Sequence, residues 1–202
     1  MTLNYTTVEL VKGRLSLRSD ISDSGETDAL VSQKISVASR RIEDDCGRRF
    51  WQDDVLNDRY YDITHKSKVV VDDISTTTGL VISIGNGTSF TTLPATSYRL
   101  KPMNAIADGE SPYIIERVNY PSNYCQPYWG IGMTMKVTAK FGWLEVPDPI
   151  SEACLLLATR LYRRKDSPEG FRLDYSGGFS GFVTKTDSDY DALIDHYIRK
   201  AV

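Results

Sequence analysis

PDPISEACLLLATRLYRR, residues 147–164, is the stretch that decides the fold, together with Phe141, Gly142 and Trp143 just ahead of it. Pro147 and Pro149 suit a helix start, because first-turn N–H groups lack intrahelical partners and proline's φ is already close to helical. At 3.6 residues per turn, Ile150, Ala153, Cys154, Leu157, Ala158 and Leu161 share one broad face. Glu152, Arg160 and Arg163 lie opposite, and Leu156 falls among them. A large apolar side chain on a charged row predicts a second covered surface, such as another subunit. The segment is therefore expected to be the central helix of the fold, one side buried and the other mostly charged.

Upstream of that helix, Met133, Met135, Val137, Ala139 and Phe141 alternate with Thr134, Lys136, Thr138 and Lys140. This period of two predicts a strand with one buried and one wet face, in an antiparallel sheet on which the helix packs. Shorter strands are expected at residues 59–61, 68–71, 80–84, 89–93, 98–100 and 113–118. Asn86-Gly87, between two of them, signals a tight hairpin turn.

Nearer the N-terminus, Thr6 and Glu9 have capping-box spacing, which predicts a short helix over residues 7–15. After the polar segment SLRSDISDSGETD, Val31, Ile35, Ala38, Ile42 and Cys46 recur every three or four residues, with Gly47 placed as a left-handed C-terminal cap. At the other end, Tyr190, Leu193, Ile194, Tyr197, Ile198 and Ala201 form the stripe of a last helix that begins near Thr186 and Asp187. Its acidic start and its last-turn Arg199 and Lys200 agree with the helix dipole. The expected class is α+β: a helical domain with an inserted antiparallel β-rich region. Its segments are residues 1–50 (N-terminal helices), 51–143 (β-rich region), 144–165 (central helix), 166–186 (an extended Gly/aromatic arm) and 187–202 (C-terminal helix), all within one domain.

With 202 residues, 41% hydrophobic and 25% charged, the chain has the composition of a globular protein. A formal charge of −3 weighs against a general nucleic-acid binder. No apolar run approaches the ~20 residues that span a bilayer, so no membrane partner is expected. The opening MTLNYTTVEL lacks a secretory layout, and three scattered cysteines (Cys46, Cys125, Cys154) fit reduced thiols made in a cytoplasm.

Candidates for chemistry are few, and no enzyme, cofactor or metal site is expected. His65, in the polar THKSK, and His196 have no second ligand at helical or hairpin spacing. The doublets Asp44-Asp45, Asp53-Asp54 and Asp72-Asp73 diverge on any regular backbone and read as solvated charge or turns. Two aromatic stretches stand out: NYPSNYCQPYWGIG (119–132), with Tyr128 and Trp129, and FRLDYSGGFSGF (171–182). Interleaved lysine and arginine, which single-stranded nucleic acid wants, are scarce in them. Partner contact and internal packing remain the two readings for these rings.

Several blocks in order resemble the head-to-tail connector (adaptor) proteins of tailed bacteriophages: ASRRIEDDCGRRF (38–50), SYRLKPMNA (97–105), PYIIERV (112–118), KVTAKFGW (136–143) and VPDPISEACLLLATRLYRRKDSPEGF (146–171). The last two are the most specific. The likeness is weak between residues 60 and 93, and residues 120–132 look longer than the family pattern. The resemblance implies a non-catalytic virion protein of the neck, made in the host cytoplasm and assembled as a homo-oligomeric ring of about a dozen copies. Such a ring joins the portal protein to stopper or tail-terminator proteins and passes double-stranded DNA without sequence-specific binding. Leu156, Arg160 and Arg163 would then face a neighbouring subunit. Phe171, Tyr175, Phe179 and Phe182 would lie in an arm reaching a neighbour or the portal, and Tyr128 and Trp129 would be further contacts. A tail-completion or stopper protein of the same neck is the near alternative, and a nucleic-acid-binding module the more distant one.

Overall fold

The computed structural model describes residues 4–15, 25–118, 129–164 and 188–199. Its helices are α1 (Val8–Arg14), α2 (Gly25–Cys46), α3 (Asp148–Arg163) and α4 (Ser188–Ile194). Between α2 and α3 run β1 (Asn57–Asp62), β2 (Lys68–Val70), β3 (Val81–Gly85), β4 (Phe90–Thr92), β5 (Tyr98–Lys101), β6 (Ile114–Arg117) and β7 (Thr134–Ala139). The chain divides into two compact units. One holds the helices, from residues 1–48 and 146–200; the other takes residues 49–145, with 201–202. The class is α+β with an inserted antiparallel β region, as expected.

In the helical unit, the α2 stripe of Val31, Ile35, Ala38, Ile42 and Cys46 is buried throughout. The helix closes as its sequence predicts: Gly47 takes φ +61, and the Arg48 N–H donates to the Glu43 carbonyl at 3.2 Å. That bond, six residues back to one, satisfies a carbonyl the helix end would otherwise orphan. Small residues line the contact of α2 with α3. Ala38 and Ser39 on one helix and Ala153, Cys154 and Ala158 on the other are all fully buried, and Ser39 Oγ lies 3.4 Å from Cys154 Sγ. Short side chains let the two axes approach closely.

Three helical expectations are corrected. The cap of α1 is Thr7, one residue beyond Thr6: its Oγ1 accepts the Leu10 N–H at 3.4 Å, and Thr6 is buried. The buried face of α3 comprises Ile150, Ala153, Cys154, Ala158, Thr159 and Tyr162, with Leu157 and Leu161 only half-covered. This face is met by α1, α2 and α4. The last helix stops early. A 3-10 turn, Asp195–Tyr197, follows α4, and the Arg199 N–H, instead of lying in a helical last turn, donates to the Cys46 carbonyl at 2.9 Å. Thr186, Asp187, Lys200 and Ala201 lie outside the described residues.

The β unit has two antiparallel sheets, ordered β1-β7-β3-β4 and β2-β6-β5. The best-alternating strand, β7, is central in the larger: Met135, Val137 and Ala139 point inward, and Thr134, Lys136 and Thr138 outward. Ile63, Val69, Val71, Ile82, Ile84, Ile115 and Phe141 join its inward side chains in one apolar cluster. The β3–β4 hairpin forms, but through a four-residue loop, 86–89, wider than the expected tight turn. Asn86 Oδ1 accepts the N–H groups of Thr88 and Ser89 at 3.2 and 3.1 Å.

The two ends of the β unit are clasped. The Asp53 N–H donates to the Phe141 carbonyl at 2.8 Å, and the rings of Phe50 and Trp143 stand 5.4 Å apart. Gly142 sits between them at φ +102, its N–H bonded to the Asp73 carbonyl at 2.8 Å and its own carbonyl accepting from Ser111 Oγ at 2.9 Å. An added Cβ there would meet the Trp51 carbonyl oxygen at 1.8 Å. Gly142→Ala therefore combines a left-handed backbone with a clash. It is expected to cost about 3 kcal/mol or more and to lower the thermal midpoint by roughly 6 °C or more. An unchanged midpoint in a thermal melt would contradict the clasp.

Burial pushes the Cys46 thiol up to about 12, with the Asp45 carboxylate adding to the effect, and burial also raises Cys154. The fold keeps the Cys46 proton to a higher pH than the unfolded chain, whose thiol ionises near its ordinary 9.0. This contribution to stability is complete below that pH and is lost as pH climbs from 9 towards 12. Both thiols should resist Ellman's reagent in native protein at pH 8 and react once denaturant is added; rapid native reaction at either would contradict the burial.

Candidate interaction surfaces

The row of α3 expected to face a neighbour is only partly open. Glu152, at its start, is held by Arg14 of α1 through an Nη1–Oε1 pair at 2.5 Å. One turn on, Leu156 is half-buried, and so are Leu155, Leu157 and Arg160; Arg163 and Arg164 are exposed. Leu156 is thus part of a half-covered leucine run with arginines at its C-terminal side, not a lone apolar residue among charges.

Trp129 has a different role from the one expected of it. It is 2% exposed and packs in the apolar cluster of the β unit, so internal packing accounts for this ring and a partner contact does not. Tyr128, Phe171, Tyr175, Phe179 and Phe182 lie outside the described residues. Both histidines are at the surface: His65 Nδ1 lies 3.0 Å from Ser67 Oγ, and His196 stands edge-on to Tyr197.

The aspartate doublets need correction, because in two of them one partner is buried. Asp53 accepts from Arg49 at 2.5 Å, from Asn57 Nδ2 at 3.1 Å and from Arg59 at 3.4 Å. Asp73 accepts the Trp143 indole N–H at 3.3 Å. Asp72, partly exposed, takes the Arg59 guanidinium at 2.6 Å and the Tyr61 hydroxyl at 2.9 Å. Burial and the Asp72 charge raise the Tyr61 hydroxyl well above its ordinary value, against the Asp72 backbone N–H, which favours ionisation. Each guanidinium also lies over a ring, Arg59 over Phe141 at 4.2 Å and Arg49 over Trp51 at 3.8 Å. The third doublet splits its work: Asp45 accepts the Tyr190 hydroxyl at 2.9 Å and Arg41 at 3.0 Å.

This arrangement is a strut, not a reaction centre. The Asp53 carboxylate is 7% exposed, and both its oxygens accept from side chains that are themselves anchored. Among the described residues no three His, Cys, Asp or Glu side chains gather where a metal could sit, and no described helix is long and apolar enough to cross a membrane.

Surfaces able to meet a partner are clearer. On the outer face of the larger sheet, the tilted rings of Tyr60 and Phe90 stand 5.8 Å apart, near the Lys136–Asp58 ion pair of 2.8 Å. Between β5 and β6, residues 102–109 form a compact turn. Asp108 N–H bonds to Asn104 O at 2.9 Å, Glu110 N–H to Ala105 O at 2.7 Å and Tyr113 N–H to Lys101 O at 3.0 Å. Ala105 is buried beneath it, while Met103 and Ile106 stand 67% and 46% exposed. The signal for this feature was present in SYRLKPMNA, but nothing local told an outward Met103 from an inward one.

No protein-family model matches the chain, and no curated protein does. Among solved structures, it is similar to a chain of the "Neck of empty GTA particle computed with C6 symmetry", at TM-score 0.57 and 19% identity, covering 96% of this chain and 90% of that one. A chain of the "Virion of native gene transfer agent (GTA) particle" gives TM-score 0.56 and 19% identity over the same shares. At this identity the likeness is one of fold, and it runs through both units.

Asp53→Ala would leave two guanidinium groups facing a vacated, nearly dry pocket. It is expected to cost about 2–3 kcal/mol, whereas Asp54→Ala, at an exposed site, should stay within about 0.5 kcal/mol. Denaturant midpoints of the two variants compare them directly, and equal midpoints would remove the strut.

Proposed function

We propose that this chain is a structural, non-catalytic protein of a phage-like virion neck, a head-to-tail adaptor whose copies close into a ring beneath the portal. What carries this reading is the agreement in fold, over nearly the whole of both chains, with a protein of the gene transfer agent neck. The sequence resemblance to phage connector proteins supports it independently. Six-fold symmetry in that neighbour's particle is compatible with a ring of about a dozen copies here.

In such a ring the half-covered leucines of α3 and the adjacent Arg160 and Arg163 form the contact with the next copy. The arm carrying Phe171, Tyr175, Phe179 and Phe182 reaches a neighbour or the portal, and stopper or tail-terminator proteins dock on the far side. A net charge of −3 suits a channel wall past which duplex DNA slides, since like charge opposes the phosphate contacts that hold DNA to a protein. The function is assembly and passage, carried by surfaces.

Leu156→Asp is expected to abolish rings, read by negative-stain electron microscopy or light scattering, while circular dichroism remains that of folded subunits. Arg163→Glu, at an exposed position, should weaken rings without touching the fold and guards against misfolding of the first variant. Ring-sized particles persisting in both would take this row out of the interface. Particles assembled without the protein that retain their genomes and join tails would refute the function itself.

A further inference from the structure

The apolar turn between β5 and β6 has no part in the interface drawn above, yet it has the features of an anchor. Met103 and Ile106 are among the exposed large hydrophobic residues of the protein. They stand on a turn closed by its own backbone bonds, at 2.7–3.0 Å, over the buried Ala105. A side chain displayed on backbone already ordered loses little entropy on docking, which is what makes an efficient hot spot. The one charge on the turn itself is acidic, the exposed Asp108, while the neighbouring Arg99 and Lys101 are paired with Glu116. On α3 the half-covered Leu156, Leu157 and Leu161 are bordered by the exposed cations Arg163 and Arg164. Apolar knob meets incompletely covered apolar row, and acidic rim meets basic rim.

We infer that the 102–109 turn of one copy docks on the α3 leucine row of the next, Met103 and Ile106 covering Leu156 and Asp108 lying against Arg163. The two patches are different, so the contact is head-to-tail, the kind that closes rings rather than dimers. This inference rests on the ring reading and adds its missing half, the surface that α3 meets.

A charge-reversal cycle tests it. Asp108→Lys and Arg163→Glu should each raise the concentration needed for ring assembly about tenfold, because like charges are then juxtaposed at every interface. The double variant should recover most of that loss, since the reversed pair attracts again. Met103→Asp should block assembly with the subunit still folded. Rings whose single and double variants show simply additive effects would overturn this contact and leave the ring standing. Rings unaffected by Met103→Asp, with portal or tail-side binding lost instead, would overturn it in favour of a different occupant. Wild-type subunits that never assemble, even with portal present, would refute the ring and the contact together.

Discussion

An inserted region must leave its host and return at nearly the same place, and the β unit meets that constraint with a clasp at its own two ends. The outgoing segment at residues 49–53 and the returning segment at 141–143 are joined by a backbone hydrogen bond, by the facing rings of Phe50 and Trp143, and by Gly142, whose missing side chain lets the Trp51 carbonyl come close. Asp73 receives both the Gly142 N–H and the Trp143 indole, and Asp53 holds Arg49 and Arg59 above the same region. Burying a charged group costs free energy unless it is paired, and here Asp53 is paired by two arginines and an asparagine while Asp73 receives the indole N–H. The two sheets and their shared core hang from this arrangement.

Buried acids, which often mark an active site, are thus occupied in holding the structure. Among the described residues, apolar side chains left at the surface include a leucine row on α3 that its own subunit only half covers, an apolar turn between two strands, and an aromatic pair on an outer sheet face. Apolar side chains left in water on well-ordered backbone favour association with another copy or another protein.

Much of this was legible from residue spacing. Strict alternation from Met133 to Phe141 placed the central strand, and the α2 stripe was buried residue for residue, ending at the glycine that caps it. These are local signals, repeated enough times to outweigh noise. The face of α3 was less legible because Leu155, Leu156 and Leu157 follow one another. Three adjacent leucines point around most of the helix, and the choice fell to the helices packed against it, which selected Thr159 and Tyr162. The burial of Asp53 and Asp73 could not be read at all: their partners Arg59 and Trp143 are brought to them by the fold, the second from 70 positions away. For Trp129 the sequence left partner contact and internal packing both open, and only the fold places its ring in the apolar cluster of the β unit. Nor could spacing reveal that the last helix tightens at Asp195 so that the Arg199 amide reaches the end of α2.

The clasp also bears on how such a protein can change over generations. When the two ends of an insertion are pinned side by side, the segments beyond the pin that do not contribute to it can lengthen, shorten or be exchanged while the two ends keep their spacing. Asp73 and Ser111 reach back to the pin from within the insertion, at Gly142 and Trp143, so exchange is confined to the strands and loops away from them. The helical unit can thus keep one geometry while the sheets are remade to suit new neighbours.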